Sequence, residues 1–180
     1  MRRLRAWLRP SAAAAGLGLL LAVCGLAPGG EAAAQSRREP RDYVIEFRAR
    51  PSVYLGHTFI VYGRLDGSGR IVERHQAGFI PGDDFMMAFI TPVRGTIGTD
   101  PDDRRLPTTA TYRRRLSAAE YQRVVAKVQW LRATQRRWHF FFYNCNDFAI
   151  EIADTLGLFR MPSLVAPDLW VDGLRFLNRD

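Results

Sequence analysis

The feature that most constrains the fold is a pair of strand-like runs on either side of a short turn. Residues 57–63 (HTFIVYG) and 70–76 (RIVERHQ) are rich in β-branched and aromatic residues, and the turn RLDGSG contains Asp-Gly and Ser-Gly pairs. This pattern predicts a β-hairpin. The turn permits two registers. If the numbers of paired residues add to an even value, His57 and His75 share a face; if they add to an odd value, Gln76 takes that face.

Further strands are predicted on both sides of the hairpin. Tyr43, Ile45 and Phe47 alternate with residues of the opposite face, which is typical of a strand, and Pro51 ends it. Residues 85–91 (FMMAFIT) and 108–114 (TTATYRR) predict two more strands. A loop rich in Gly, Asp and Pro at 95–107 is expected between them.

Helical patterns follow the strands. Ser117 and Glu120 form a capping box before apolar residues at helical spacing, and a second helix is expected to begin near Cys145 and to end at Gly157. The segment 138–143 is too apolar to be exposed and predicts a buried strand or tightly packed segment. A last helix should start at Ala166-Pro167 and bury Leu169, Trp170, Leu174 and Leu177. Strands followed by helices predict the α+β class.

The first 34 residues have the pattern of a secretory signal peptide. A basic stretch precedes an apolar run at 12–26 and an Ala-Ala-Ala site before Gln35. We expect a leader at 1–34, a flexible lead-in at 35–41 and one domain at 42–180, located in the periplasm or secreted. The apolar run is too short for a membrane span, and Val23 makes Cys24 a poor lipidation site.

The charge of the mature chain is modestly positive. The total of +8 falls to about +5 without the leader's four arginines and one glutamate. All basic residues but Lys127 are arginine, which is typical of a coding bias. The runs 113–115 and 136–137 could touch anionic polymers, but we favour a solvated face and expect no nucleic-acid partner. A monomer is expected.

Cleavage of the leader would leave Cys145 as the one cysteine, so no internal disulfide can form. Asn144 is a favoured N-cap residue, which would put Cys145 in the first turn of a helix. Free N–H groups and the helix dipole favour a thiolate there, and the same N–H groups can stabilise an oxyanion. A buried, inert thiol is an equally open interpretation at this point.

A nucleophilic thiol needs a base, and the chain has three histidines. His57 begins the first hairpin strand, where its ring could reach a cleft. His75 or Gln76 could support it, depending on the register. His139 stands among aromatic residues and is expected to be a packed neighbour. No close spacing of Cys and His residues indicates zinc, and no cofactor or metal is predicted.

Taken together, the motifs resemble the permuted papain-like hydrolases, the circularly permuted branch of the NlpC/P60 superfamily that includes lecithin:retinol acyltransferase-like proteins. The resemblance runs from about residue 43 to 178. It rests on GHTFIVYG, GFIP, VRGTIGTD, LSAAEYQRV, FYNCNDFA and MPSLVAPDLWVDGL, in that order. It implies an antiparallel sheet packed against the cysteine-bearing helix, with histidine early and cysteine late in the chain.

The resemblance implies a Cys–His acyl-enzyme mechanism with Cys145 as nucleophile, His57 as base and His75, preferred over Gln76, as the orienting group. The expected substrate is a peptide or cell-wall peptide amide. Two alternatives remain open. The chain could be an inactive envelope binding module of the same fold, or a lipid acyltransferase or thioesterase.

Overall fold

The computed structural model describes residues 40–52, 55–82, 85–134 and 136–179. The predicted leader and all but the last two residues of the predicted lead-in lie outside them. The described residues contain one six-stranded antiparallel sheet with the order β5-β1-β2-β3-β4-β6. The strands are β1 (Tyr43–Arg50), β2 (His57–Leu65), β3 (Ile71–Pro81), β4 (Val93–Gly98), β5 (Ala110–Leu116) and β6 (Arg137–Trp138).

Four α-helices and one short 3-10 helix, Met87–Phe89, accompany the sheet. The α-helices are α1 (Asp102–Arg105), α2 (Ala118–Ala133), α3 (Cys145–Thr155) and α4 (Pro167–Leu177). The chain is therefore α+β, as predicted. Within the described ranges, no helix has the length and apolar character that crossing a bilayer requires.

The hairpin prediction is confirmed, and the structure fixes its register. Tyr62 pairs with His75 and Val61 pairs with Gln76, so paired numbers add to an odd value. Side chains alternate between the two faces of a strand. Gln76 therefore shares the face of His57, and His75 lies on the opposite face.

The main core lies between one face of the sheet and the helices α2, α3 and α4. Phe47 and Phe79 from the sheet pack with Phe148 of α3 and Trp170 of α4, and all four side chains are buried. Burial of such large apolar side chains contributes about 2 kcal/mol each. This layer holds α3, and with it Cys145, against β2 and β3.

The helix boundaries agree with their sequence signals. Ser117 and Glu120 form the predicted capping box at α2. Pro167 stands in the first turn of α4, and Gly157 follows α3 with φ of 64°, the left-handed conformation that a glycine adopts at low cost.

Three predictions for individual segments were wrong. The segment 85–91 contains a 3-10 helix and no strand, and the predicted loop at 95–107 contains most of β4 and all of α1. The apolar character of 85–91 was taken to indicate a strand, and the abundant Gly and Asp of 95–107 were taken to indicate a loop. In α4, Trp170 and Leu174 are buried as predicted, but Leu169 and Leu177 are exposed.

The prediction that segment 138–143 is buried was right for part of the segment and wrong for the rest. Trp138 is buried at the end of β6, whereas Phe141 and Phe142 lie in a turn and are exposed to solvent. The turn brings His139 opposite Tyr143, with which it forms an isolated β-bridge. A continuous apolar run therefore did not mean continuous burial.

Candidate active site

Cys145 is the first residue of α3, as the capping pattern predicts. The Asn144 side chain accepts hydrogen bonds from the backbone N–H groups of Asn146 at 2.8 Å and Asp147 at 3.4 Å. In return, the Asp147 carboxylate accepts from the Asn144 N–H at 2.9 Å, and the Asn144 amide donates to the Phe140 carbonyl at 2.8 Å. These reciprocal bonds fix the start of the helix and the position of the thiol.

Asn146 attaches the start of α3 to two other parts of the fold. Its side-chain oxygen accepts a 2.6 Å hydrogen bond from the Thr58 hydroxyl on β2. Its amide group donates to the carbonyls of Ser163 at 2.8 Å and Val165 at 2.9 Å, just before α4. Asn146 and Thr58 were not among the site residues predicted from the sequence. The sequence signal that could have identified Asn146 was its polar side chain at a position of α3 that is buried.

The Cys145 thiol is almost fully buried, with 8% of the residue exposed. Burial raises its pKa above the ordinary value because the protein interior disfavours a thiolate. Backbone N–H groups of Thr58, Asn146 and Cys145 itself point at the sulfur and partly oppose this rise. The resting group is a neutral thiol surrounded by hydrogen-bond donors.

His57 is the first residue of β2 and is also buried. Its ring lies over Gly78, where an added Cβ would be only 2.5 Å from the His57 Nε2 atom. Burial lowers the pKa of His57 to about 4; Asp103 opposes this shift and Arg50 adds to it. At neutral pH the ring is therefore an uncharged imidazole, which can accept a proton.

A buried polar network stands behind His57 and centres on Asp103 of α1. The Asp103 carboxylate accepts hydrogen bonds from Arg50 at 2.6 Å and from the Gln76 amide at 2.7 Å, and one oxygen is 3.9 Å from His57 Nε2. Asp100 binds the other side of the Arg50 guanidinium at 2.8 Å. Among the described residues, His57 Nε2 has no hydrogen-bond partner, so it is free to donate toward Asp103 after a small shift.

The network was missed in the sequence because Asp103 lies in a stretch taken for an irregular loop. Two signals were available. The segment TDPDD places three acids beside a proline that can begin a helix, and Arg50 puts a charge at a buried strand position. Because buried charges are usually paired, a buried arginine in a strand predicts a carboxylate close to it in the fold.

The other two histidines lie elsewhere. His75 is exposed on the opposite face of the sheet, where its ring stacks on Tyr62 at 5.4 Å and contacts Glu73 at 3.1 Å. Contrary to the preferred sequence-based prediction, the register places Gln76 in the network and His75 outside it. His139 is buried, accepts a hydrogen bond from the Phe141 N–H at 3.1 Å and packs against Phe142, as a packed neighbour should.

Cys145 and His57 line one open cavity of about 450 Å³. Thr58 faces α3, so His57, the preceding residue, reaches this cavity from the other face of the sheet. Cys145 also lines a second cavity, of about 290 Å³. Its walls are mostly apolar and include Leu55, Phe85, Trp138, Phe140, Phe141 and Leu164. The thiol thus lies in the walls of two adjoining cavities.

Within the described ranges, no three His, Cys, Asp or Glu side chains are grouped so as to hold a metal ion. Comparison with known proteins adds no assignment: no family model matches the chain, and neither a curated protein nor a solved structure is significantly similar to it.

Proposed function

We propose that this chain is a thiol hydrolase that cleaves an amide bond through an acyl-enzyme on Cys145. The observation that carries the proposal is the shared cavity: a thiol at a helix N-terminus and a neutral imidazole backed by a carboxylate both line it. Nucleophile, base and orienting group are the three parts that such chemistry needs. The permuted papain-like fold implied by the sequence motifs supports the same assignment.

The neutral state of both groups determines the first step. The His57 imidazole accepts the thiol proton as the Cys145 sulfur attacks the substrate carbonyl carbon, so the thiolate forms only during attack. Backbone N–H groups at the start of α3 donate to the resulting oxyanion. The His57 imidazolium then protonates the leaving amine, and a thioester remains on Cys145.

Hydrolysis completes the cycle. Water attacks the thioester carbon while His57 again accepts a proton, the carbon–sulfur bond breaks, and the thiol regains its proton from His57. Asp103 is the orienting group in this proposal, because its charge stabilises the imidazolium that forms twice in each cycle. Gln76 and Arg50 hold Asp103 in place and act as positioning residues.

The two cavities beside Cys145 suit a peptide substrate with a bulky apolar side chain. A peptide or cell-wall peptide amide bound between Cys145 and His57 would place such a side chain in the adjoining cavity, whose volume of about 290 Å³ accommodates it. The expected leader at 1–34 would export the protein, which places the proposed reaction in the periplasm or outside the cell.

Turnover of fluorogenic peptide amides by the mature chain tests the proposal. We expect amide hydrolysis that is abolished by Cys145→Ala, lowered at least 100-fold by His57→Gln, and retained in His75→Gln. Because His75 is an exposed histidine of the same sheet, it is the matched control. A substrate series with alanine, leucine or phenylalanine beside the scissile amide should favour the larger residues.

The buried, neutral thiol favours a second candidate, an envelope binding module in which Cys145 is a wall of the apolar cavity. In that case the protein would bind apolar peptides without turnover. Cys145→Ala would then leave the affinity unchanged within about threefold. Binding without hydrolysis in the substrate series would select this candidate.

A further inference from the structure

A separate cavity of about 510 Å³ lies between β4 and the end of α2. Among the described residues, it shares no lining residue with the two cavities beside Cys145. Of its described lining residues, none is acidic and four are arginines: Arg94, Arg132, Arg136 and Arg137. The remaining walls are mostly apolar, and its volume lies within the range of about 300–1,000 Å³ that is usual for small-molecule sites.

Among the described residues, most of the positive charge in this cavity has no acidic partner of its own. Arg136 is paired with Glu151 at 3.2 Å, but Glu151 also binds Lys127 at 2.6 Å. Arg137 donates two hydrogen bonds to the carbonyl of Pro92, a neutral acceptor. Among the described residues, no carboxylate lies within ion-pair distance of Arg94 or Arg132.

Arg94, Arg132 and Arg137 are exposed to solvent, and their positive charges around one concave surface repel one another. Phe79 and Leu131 supply buried parts of the cavity walls. The C-terminus of α2 favours the charge of Arg132 in the last helical turn but does not occupy its donors. An anion bound in the cavity would relieve this repulsion.

We propose that this cavity is a binding site for a polyvalent anion, held through phosphate or carboxylate oxygens by Arg94, Arg132 and Arg137. The planar guanidinium fork matches both groups bidentately. Neighbouring apolar walls suit a ligand with a hydrocarbon portion. The site is independent of the proposed hydrolase chemistry, since it contains neither Cys145 nor His57.

Thermal unfolding and calorimetric titration of the mature chain test this site, with pyrophosphate as the phosphate probe and tricarballylate as the carboxylate probe. Either probe should raise Tm and bind more weakly as salt increases. The double variant Arg94→Gln/Arg132→Gln should weaken binding at least tenfold. In the absence of anions its Tm should be no lower than that of the wild type, because repulsion is relieved.

Arg175→Gln is the matched control, because it removes an arginine charge from the surface of α4, outside the cavity. It should leave both affinities unchanged within about twofold. Preference for pyrophosphate would identify a phosphate-bearing ligand, and preference for tricarballylate a carboxylate-bearing one. The proposal is overturned if neither probe binds at millimolar concentration, or if Arg175→Gln weakens binding as much as the double variant.

Discussion

His57 and Cys145 are both buried in the resting protein, and burial keeps both of them neutral. The pKa of His57 is lowered to about 4, and that of Cys145 is raised. A preformed thiolate–imidazolium pair is therefore not the resting state. Reactivity in this account depends on proton transfer during attack, so it should require His57 without requiring a strongly acidic thiol.

Stability should depend on pH through His57. A histidine whose folded pKa lies below its unfolded value of about 6.5 binds protons more readily in the unfolded chain. Its contribution to stability is present above pH 6.5 and is lost as the pH falls toward 4. Urea unfolding of the wild type should show a fall of up to about 3 kcal/mol across this window. His57→Gln should flatten the fall, whereas the exposed control His75→Gln should not.

Asp103→Asn tests the network behind His57. The change removes the charge that compensates buried Arg50, and breaking a buried pair costs about 3 kcal/mol. It should also lower kcat for any amide substrate, because the imidazolium loses its nearest carboxylate. Asp102→Asn is the control, since that neighbouring side chain is half exposed and should change the free energy of unfolding by less than about 0.5 kcal/mol. If Asp102→Asn lowered the free energy of unfolding and kcat as much as Asp103→Asn, the assigned role of Asp103 would be contradicted.

At the scale of the elements, local sequence signals predicted the helix starts better than the sheet. The capping boxes at Ser117 and Asn144 appear where their residue types indicated. By contrast, β4 was not predicted, and most of it was assigned to a loop. Gly95 is explained by a contact that no local pattern contains: a Cβ there would be 2.2 Å from the Phe79 ring. Likewise, the hairpin turn could not decide between His75 and Gln76, because register is set by packing across the sheet.

Asn144→Ala should loosen the start of α3. Loss of an N-cap costs about 1–2 kcal/mol, and here the bond to the Phe140 carbonyl is lost as well. We expect lower stability in urea unfolding and altered alkylation of Cys145 by iodoacetamide. Ser117→Ala removes the equivalent cap of α2 and should cost a similar amount of stability while leaving the alkylation rate unchanged. A change in that rate for both variants would show that global destabilisation, and not the cap, controls access to the thiol.

At the scale of the whole molecule, the sheet brings together residues that are far apart in the sequence. His57 comes from β2, Asp103 from α1 and Cys145 from α3, and these lie 46 and 42 residues apart in chain order. Chemistry and local structure identified Cys145 and His57 as candidates. Asp103 could not be found in this way, because its role depends on the pairing of β1, β2 and β3, which brings Arg50 and Gln76 beside it.

The central claim is that Cys145 is a nucleophile activated by His57, and trapping tests it most directly. The mature chain should be treated with a peptidyl chloromethyl ketone that carries a phenylalanine side chain, and the adduct measured by intact mass and peptide mapping. We predict one adduct per chain, on Cys145, forming at least tenfold more slowly in His57→Gln and at the wild-type rate in His75→Gln. A rate unaffected by His57→Gln, or an adduct elsewhere, would contradict the account.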